Sequence, residues 1–76
     1  MKEVLEYIAK NLVDDPDAVE IEVVESGDSM TFRLTVAPDD MGKIIGRRGR
    51  TARAIRDVMR AAGTRAGLKA MVEIVG

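Results

Sequence analysis

Residues 44–50 read IIGRRGR and place two glycines, Gly46 and Gly49, between two stretches with helical character. The PDD sequence at residues 38–40 is a typical helix start, so a short helix is predicted through Met41 to Ile45. Glycine adopts backbone angles closed to other residues, and its missing side chain lets another molecule approach the main chain. We therefore predict a tight turn between two helices that can contact a ligand.

The helix after the glycines is predicted from about Arg50 to Ala62, with Gly63 as its C-terminal stop. Its first turn carries Arg50 and Arg53, although the free N–H groups and the dipole at a helix N-terminus favour acids. Basic residues at a helix N-terminus, where acids are favoured, indicate a functional site. A phosphate would satisfy the N–H groups and pair with the arginines, so we predict an anion contact here.

The flanking sequence predicts a sheet with helices on one side. Residues 2–13 repeat apolar side chains at the 3.6-residue period of an amphipathic helix. Residues 19–36 alternate apolar and polar side chains around a turn cluster at residues 26–29, which is typical of a β-hairpin. Residues 68–75 alternate in the same way and predict a third strand. The chain is therefore predicted to be a single α+β domain, α-β-β-α-α-β, with a three-stranded sheet packed on one face by helices.

The net charge of −1 conceals two opposed halves. Residues 1–40 contain three basic and eleven acidic residues, a net charge of −8. Residues 41–76 contain nine basic residues and only two acids, Asp57 and Glu73, a net charge of +7. This asymmetry favours contact with a nucleic acid or another polyanion. A solvated face of each sign would explain the same counts, and charge alone does not separate the two interpretations.

The composition argues against several classes of site. The chain has no Cys and no His, which removes disulfides, thiolate metal sites and the commonest general base and metal ligand. The acid pairs at residues 14–15 and 39–40 lie at helix boundaries, where caps are commoner than catalytic dyads. No apolar run approaches the ~20 residues of a membrane span, and no signal peptide is apparent. We expect a cytoplasmic, non-enzymatic protein without a metal or cofactor.

The Ile-Gly-x-x-Gly signature at residues 45–49, between two helices and followed by an Arg-rich helix, resembles a KH domain of type II. The stretches VDDPD at residues 13–17 and VAPDDMGK at residues 36–43 are similar to the small stand-alone bacterial KH proteins of the KhpA type. The resemblance covers nearly the whole chain. It implies single-stranded RNA binding, a role as an RNA chaperone or regulator, and a link to cell-envelope growth and cell shape.

The resemblance also implies roles for individual residues. The loop of residues 46–49 would clamp the backbone of about four nucleotides, with flanking basic residues on the phosphates. An aliphatic pair would form a floor under the bases, and Ile45 is expected to be the more buried of the two. Ala52 replaces a bulky aliphatic of the family pattern, so no base contact is assigned to it. The predicted RNA-binding residues are Lys43, Ile44, Ile45, Gly46, Arg47, Arg48, Gly49, Arg50 and Arg53.

The second helix also has an unusually broad apolar arc, and Ala54, Val58 and Ala61 form one edge of it. A wide core face would explain this arc, and so would an interface with another protein. The resemblance implies a homodimer, or a heterodimer with a larger KH-containing protein of the Jag type. The alternative hypothesis is therefore a dimerisation or adaptor module that has a KH fold and little affinity for RNA.

Overall fold

The computed structural model describes residues 1–75 and contains three α-helices and three β-strands. In chain order they are α1 (Lys2–Leu12), β1 (Glu20–Ser26), β2 (Ser29–Thr35), α2 (Met41–Ile45), α3 (Arg50–Arg65) and β3 (Lys69–Val75). This order confirms the predicted α+β architecture. No helix within residues 1–75 has both the length and the apolar character needed to cross a membrane.

The sheet has β2 at its centre. β1 pairs with β2 in antiparallel register across the two-residue turn at Gly27 and Asp28, as the alternating pattern predicted. β3 lies on the other side of β2 and runs parallel to it, with Phe32 opposite Val72. Parallel neighbours need a long crossover connection, and α2 and α3 provide it.

The core lies between the sheet and the helices. Phe32 and Leu34 on β2 are fully buried, in phase with the predicted inward face of the hairpin. The helices contribute five further buried apolar residues to the same cluster, namely Leu5, Ala9, Ile44, Ile55 and Met59. The predicted apolar stripe of α1 is buried at its centre, whereas Val4 and Leu12 at its margins remain more than one-third exposed.

The predicted stop of α3 at Gly63 is wrong. The helix continues to Arg65, and Gly67 is the residue that adopts the left-handed conformation, with φ of 75°. The N–H of Leu68 donates to the Gly63 carbonyl at 2.8 Å, and the N–H of Gly67 donates to the Thr64 carbonyl at 3.1 Å. These two bonds form a Schellman motif, which ends the helix one turn later than predicted.

Gly63 instead allows close packing. A Cβ atom at this position would lie 2.8 Å from the Cβ of Ala70 and 2.9 Å from the carbonyl oxygen of Leu68. Both neighbours belong to the chain as it leaves α3 and enters β3, so they cannot move aside as a flexible side chain could. The missing side chain therefore sets how closely α3 lies on β3.

Asp40 is the one buried charged residue among residues 1–75, with 2% of its surface exposed. One carboxylate oxygen accepts the N–H of Asp14 at 3.2 Å, and the other accepts the N–H of Asp15 at 3.1 Å. Its side chain makes no capping hydrogen bond to α2, contrary to the cap predicted from its position. Asp40 therefore joins the segment after α1 to the start of α2.

Burial opposes ionisation of the Asp40 carboxyl, but the hydrogen bonds from Asp14 and Asp15 outweigh this effect. The ammonium group of Lys43, 3.6 Å from one carboxylate oxygen, adds to them. The pKa of Asp40 is therefore lower than its ordinary value. The ionised carboxylate is thus the form that the fold selects.

Replacing Gly63 by alanine should destabilise the protein, although alanine favours helices. The added methyl group overpacks the contact with β3, which we expect to lower the free energy of unfolding by about 1–3 kcal/mol in chemical denaturation. Gly42→Ala is the matched control, because Gly42 also lies in a helix but has open space around it. That control should be neutral or stabilising by about 0.5–1 kcal/mol. Equal effects of the two substitutions would contradict close packing at Gly63.

Asp40→Asn should change how stability depends on pH. Because the folded pKa lies below the ordinary 3.8, the carboxylate contributes stability above that value and loses it as the pH falls through the folded pKa. Wild type should therefore be more stable than Asp40→Asn at neutral pH, and the gap should close in acid. Thermal unfolding from about pH 7 to about pH 2 measures this. The exposed Asp39→Asn serves as control, and a gap that is constant with pH would contradict the assignment.

Candidate nucleic-acid interface

The loop between α2 and α3 has an unusual backbone. Gly46 has φ of 74° and ψ of 174°, and Gly49 has φ of 74° and ψ of 13°. Between them, Arg48 has φ of 57° and is the only non-glycine residue of residues 1–75 with positive φ. This left-handed conformation costs a non-glycine residue roughly 1–2 kcal/mol. Strain of this kind is typical of sites where function requires a particular backbone shape.

The two glycines of the loop serve different purposes. A Cβ atom on Gly46 would lie 2.7 Å from the Cβ of Thr51 and 2.9 Å from its backbone nitrogen. Gly46 therefore lets the loop close against the first turn of α3. Apart from its two chain neighbours, no residue among residues 1–75 has an atom within 4 Å of the corresponding position on Gly49, so a ligand can approach its main chain.

Four arginines lie in this loop or in the first turn of α3 that follows it. All four are exposed, and none forms an ion pair with a carboxylate of residues 1–75. They are Arg47, Arg48, Arg50 and Arg53. Two of them belong to the first turn of α3, which contains no acid, as the sequence predicted. Their charges are therefore available to an external anion, which the N-terminus of α3 also favours.

Lys43 differs from these arginines. Its ammonium group forms an ion pair with Asp14 and lies 3.6 Å from Asp40. The hydrogen bond to Asp14 outweighs the opposing effect of desolvation, and both acids add attraction, so the pKa of Lys43 is raised. Lys43 thus links α2 to the segment after α1, and its predicted phosphate contact would have to compete with two acids.

The predicted order of burial in the isoleucine pair is wrong. Ile44 is fully buried in the core, whereas Ile45 is 40% exposed. Successive residues of a helix point about 100° apart, so the single turn of α2 directs one side chain to the core and the next away from it. Ile44 therefore has no surface to offer a base, and only Ile45 of the predicted pair can form a floor.

A groove of about 380 Å³ lies beside the loop, between α2, α3 and β3. This volume is within the roughly 300–1,000 Å³ typical of small-ligand sites. Its lining is apolar on the side of α2 and β3, and it carries charged side chains along α3. The lining residues are Met41, Ile45, Gly49, Ala52, Arg53, Arg56, Asp57, Arg60 and Ile74.

The structure brings some predicted residues into this groove and leaves others outside it. Ile45, Gly49 and Arg53 line it, whereas Arg47 and Arg48 belong to the adjoining loop without lining it. Ala52 also lines it, although no base contact was assigned to that position.

Sequence reasoning missed five lining residues, namely Met41, Arg56, Asp57, Arg60 and Ile74. The three on α3 follow Arg53 at helical spacing, so a projection of the helix could have found them. Ile74 is distant in sequence, and only the pairing of β3 with β2 brings it to the groove.

A second surface of α3 is apolar and open. Ala54, Val58 and Ala61 are all exposed, and Val58 retains 45% of its surface. These three residues, here called the α3 strip, are centred about 120° around the helix from the centre of the charged residues of the groove, and Ala61, one turn after Asp57, borders that acid. The core side of the predicted arc is buried instead, with Ile55 and Met59 at its centre. A partner on the α3 strip would thus lie on a different side of α3 from the groove arginines and would border the groove at Asp57.

Comparison with known proteins identifies the family of the chain. The family described as "KhpA/KhpB, KH domain" matches residues 2–74. RNA-binding protein KhpA of Clostridium acetobutylicum is 49% identical over 75 residues, which are 99% of this chain and 100% of the relative. The proteins of the same name from Caldanaerobacter subterraneus subsp. tengcongensis and Chlamydia trachomatis are 47% and 45% identical, also over 99% of this chain and over 100% and 96% of theirs. The resemblance to a KH domain is confirmed, and the chain belongs to the KhpA/KhpB family of KH-domain proteins.

Proposed function

We propose that this protein binds single-stranded RNA in the cytoplasm and acts as a non-enzymatic RNA chaperone or regulator. The observation that carries the proposal is the group of four arginines, without acidic partners in residues 1–75, around a glycine loop that opens beside a groove. The relatives described above are named RNA-binding proteins, which supports the same conclusion.

Phosphates are the natural ligands of the loop. Guanidinium groups bind phosphate oxygens through paired hydrogen bonds, which are stronger than neutral ones. A phosphate near Gly49 would also lie at the N-terminus of α3, a helix of 16 residues, where the helix dipole favours an anion. The backbone of a strand that follows the loop would therefore be held by charge and by main-chain shape, without reference to sequence.

The bases would then lie in the adjoining groove. Bases of a single strand can be splayed out of their stack, whereas those of a duplex cannot enter such a groove. Its apolar side offers Met41, Ile45 and Ile74, and no aromatic side chain among residues 1–75 lines it. Phe32 on β2 is fully buried, so stacking on this sheet aromatic is not available either. We expect affinity to come mainly from phosphate contacts, with aliphatic packing under the bases.

A second candidate function rests on the α3 strip. Its three apolar residues are exposed, although neighbouring positions on the same helix are buried. Small domains often gain stability by association, and such a strip would fit a homodimer or a larger KH-containing protein of the Jag type. Because the centre of the strip lies on a different side of α3 from the groove arginines, dimerisation and RNA binding are compatible. Only one version of this hypothesis, an adaptor with little affinity for RNA, is incompatible with the proposed RNA-binding function.

Replacing Arg47 and Arg48 together by aspartate should abolish most RNA binding. Losing two charge-assisted contacts and adding two negative charges should weaken the binding of a short single-stranded RNA by about 100-fold, as measured by fluorescence anisotropy. The control is Lys2→Asp with Lys69→Asp, which makes the same change in net charge at exposed positions away from the loop. Unchanged affinity in the folded double variant, or an equal loss in the control, would contradict the clamp.

Val58→Asp should convert a dimer to a monomer if the α3 strip is the interface. An exposed aspartate is tolerated by the monomer, but burying its charge at a dimer interface is costly. Analytical ultracentrifugation measures the change, and RNA affinity per chain should be retained. Val4→Asp is the matched control, because Val4 lies on another helix with 42% exposure against 45% for Val58. A dimer that persists in Val58→Asp would rule out this interface.

A further inference from the structure

One carboxylate lies among the guanidinium groups of the groove. Of its nine lining residues, Arg53, Arg56 and Arg60 are basic and only Asp57 is acidic. Asp57 is also one of only two acids in residues 41–76. A negative charge at this place opposes the approach of phosphates, so it weakens the contact that the rest of the groove favours.

Stability does not account for this acid. Asp57 accepts a hydrogen bond from Arg60 at 3.1 Å, one turn further along α3. Both side chains are at least 60% exposed, and exposed pairs of this kind contribute little to folding. An ionised carboxylate has about four acceptor positions, so one bond to Arg60 leaves most of them available. The free positions can accept hydrogen bonds from a ligand in the groove.

We propose that Asp57 is a specificity-determining residue that selects a base with an exocyclic amino group and disfavours uracil. The inference rests on the proposed RNA-binding function of the same groove. A carboxylate can only accept hydrogen bonds, and the N4 amino group of cytosine and the N6 amino group of adenine are donors. Uracil has an oxygen acceptor at the position of the cytosine amino group, so a carboxylate placed to accept from that amino group meets a second acceptor there. Only the N3–H of uracil, one position along the ring, remains as a donor.

The neighbouring residues of α3 can contact the RNA backbone while Asp57 contacts a base. Arg53, one turn before Asp57, has no acidic partner in the described residues and can hold a phosphate. Arg56 is partly engaged, because its Nε donates to the carbonyl of Val72 on β3 at 3.4 Å. Asp57 lines the same groove as these cations and as the apolar residues Met41, Ile45 and Ile74. Backbone contacts would therefore position the strand, and the carboxylate would read one base.

Cytosine and uracil are the sharpest pair of probes, because they are the same size and differ only at position 4, an amino group against an oxygen, and at N3, a bare nitrogen against an N–H. We expect wild type to bind oligocytidine about 5–10-fold more tightly than oligouridine, as measured by fluorescence anisotropy at neutral pH. The oligonucleotides should be about eight nucleotides long, twice the number that a glycine loop clamps. Asp57→Asn supplies an amide donor for uracil and should reduce the ratio to about 1 by tightening oligouridine binding.

Two further variants distinguish the effect of a carboxylate at position 57 from the effect of the net charge of the protein. Asp57→Glu keeps an acceptor and should retain a preference for oligocytidine. Asp28→Asn removes the same charge from the hairpin turn, outside the groove lining, and should leave the ratio unchanged. Because Asp57 is exposed, none of these substitutions should alter the denaturation midpoint.

Each outcome addresses a different claim. Equal wild-type affinity for the two oligonucleotides, or a ratio that survives in Asp57→Asn, overturns the role of Asp57 and leaves the clamp intact. Failure of wild type to bind either oligonucleotide overturns the proposed RNA-binding function, and the inference with it. A change of ratio in Asp28→Asn would assign the preference to overall charge and so overturn the inference as well.

Discussion

The parallel pairing of β3 with β2 is the constraint on which the rest of the molecule depends. Parallel neighbours cannot be joined by a tight turn, so the chain must return across one face of the sheet. Here the return consists of two helices, and the change of direction between them falls on the loop of residues 46–49. Positive φ at Gly46, Arg48 and Gly49 makes that corner possible. The loop is thus a requirement of the topology as well as the proposed contact with RNA.

Two contacts fix the crossover at its ends. The buried Asp40 carboxylate holds the start of α2 through the backbone of Asp14 and Asp15. At the other end, the missing side chain of Gly63 lets α3 lie directly against the entry to β3. With both ends held, the loop geometry follows from the packing of the whole domain. This explains how Arg48 can remain in a left-handed conformation that its own chemistry disfavours.

The fold was predictable because the spacing of apolar residues along the sequence indicates which side chains are buried. The long helices and strands repeat that spacing often enough to identify their buried face. The same reasoning failed where an element was short or a residue had two possible uses. α2 is a single turn, so Ile44 and Ile45 were indistinguishable by period. Gly63 fits both a helix end and a close helix–strand contact, and only the position of Ala70 in the sheet separates these uses.

The loop of the candidate site could be predicted from the sequence, whereas most of the residues that line the adjoining groove could not. The glycines and the arginines of residues 46–53 are close together in the sequence, so their pattern alone indicates an anion-binding loop. Lys43 has the same charge, but its pairing with Asp14 depends on a contact between segments distant in sequence. Ile74 reaches the groove only through the order of the strands. A sequence therefore reveals which groups could bind an anion, and tertiary contacts decide which of them are already occupied.

The same distinction explains why an acidic protein can bind an acidic polymer. Within residues 1–75, Lys43 is the only cation of the second half that pairs with an acid of the first. The arginines at the loop thus keep their charge, and screening limits what a phosphate senses to roughly 10 Å. The isoelectric point of about 5.3 sums over both halves and does not describe that patch. The acidic remainder would repel RNA elsewhere on the surface, which confines attraction to the loop and the groove.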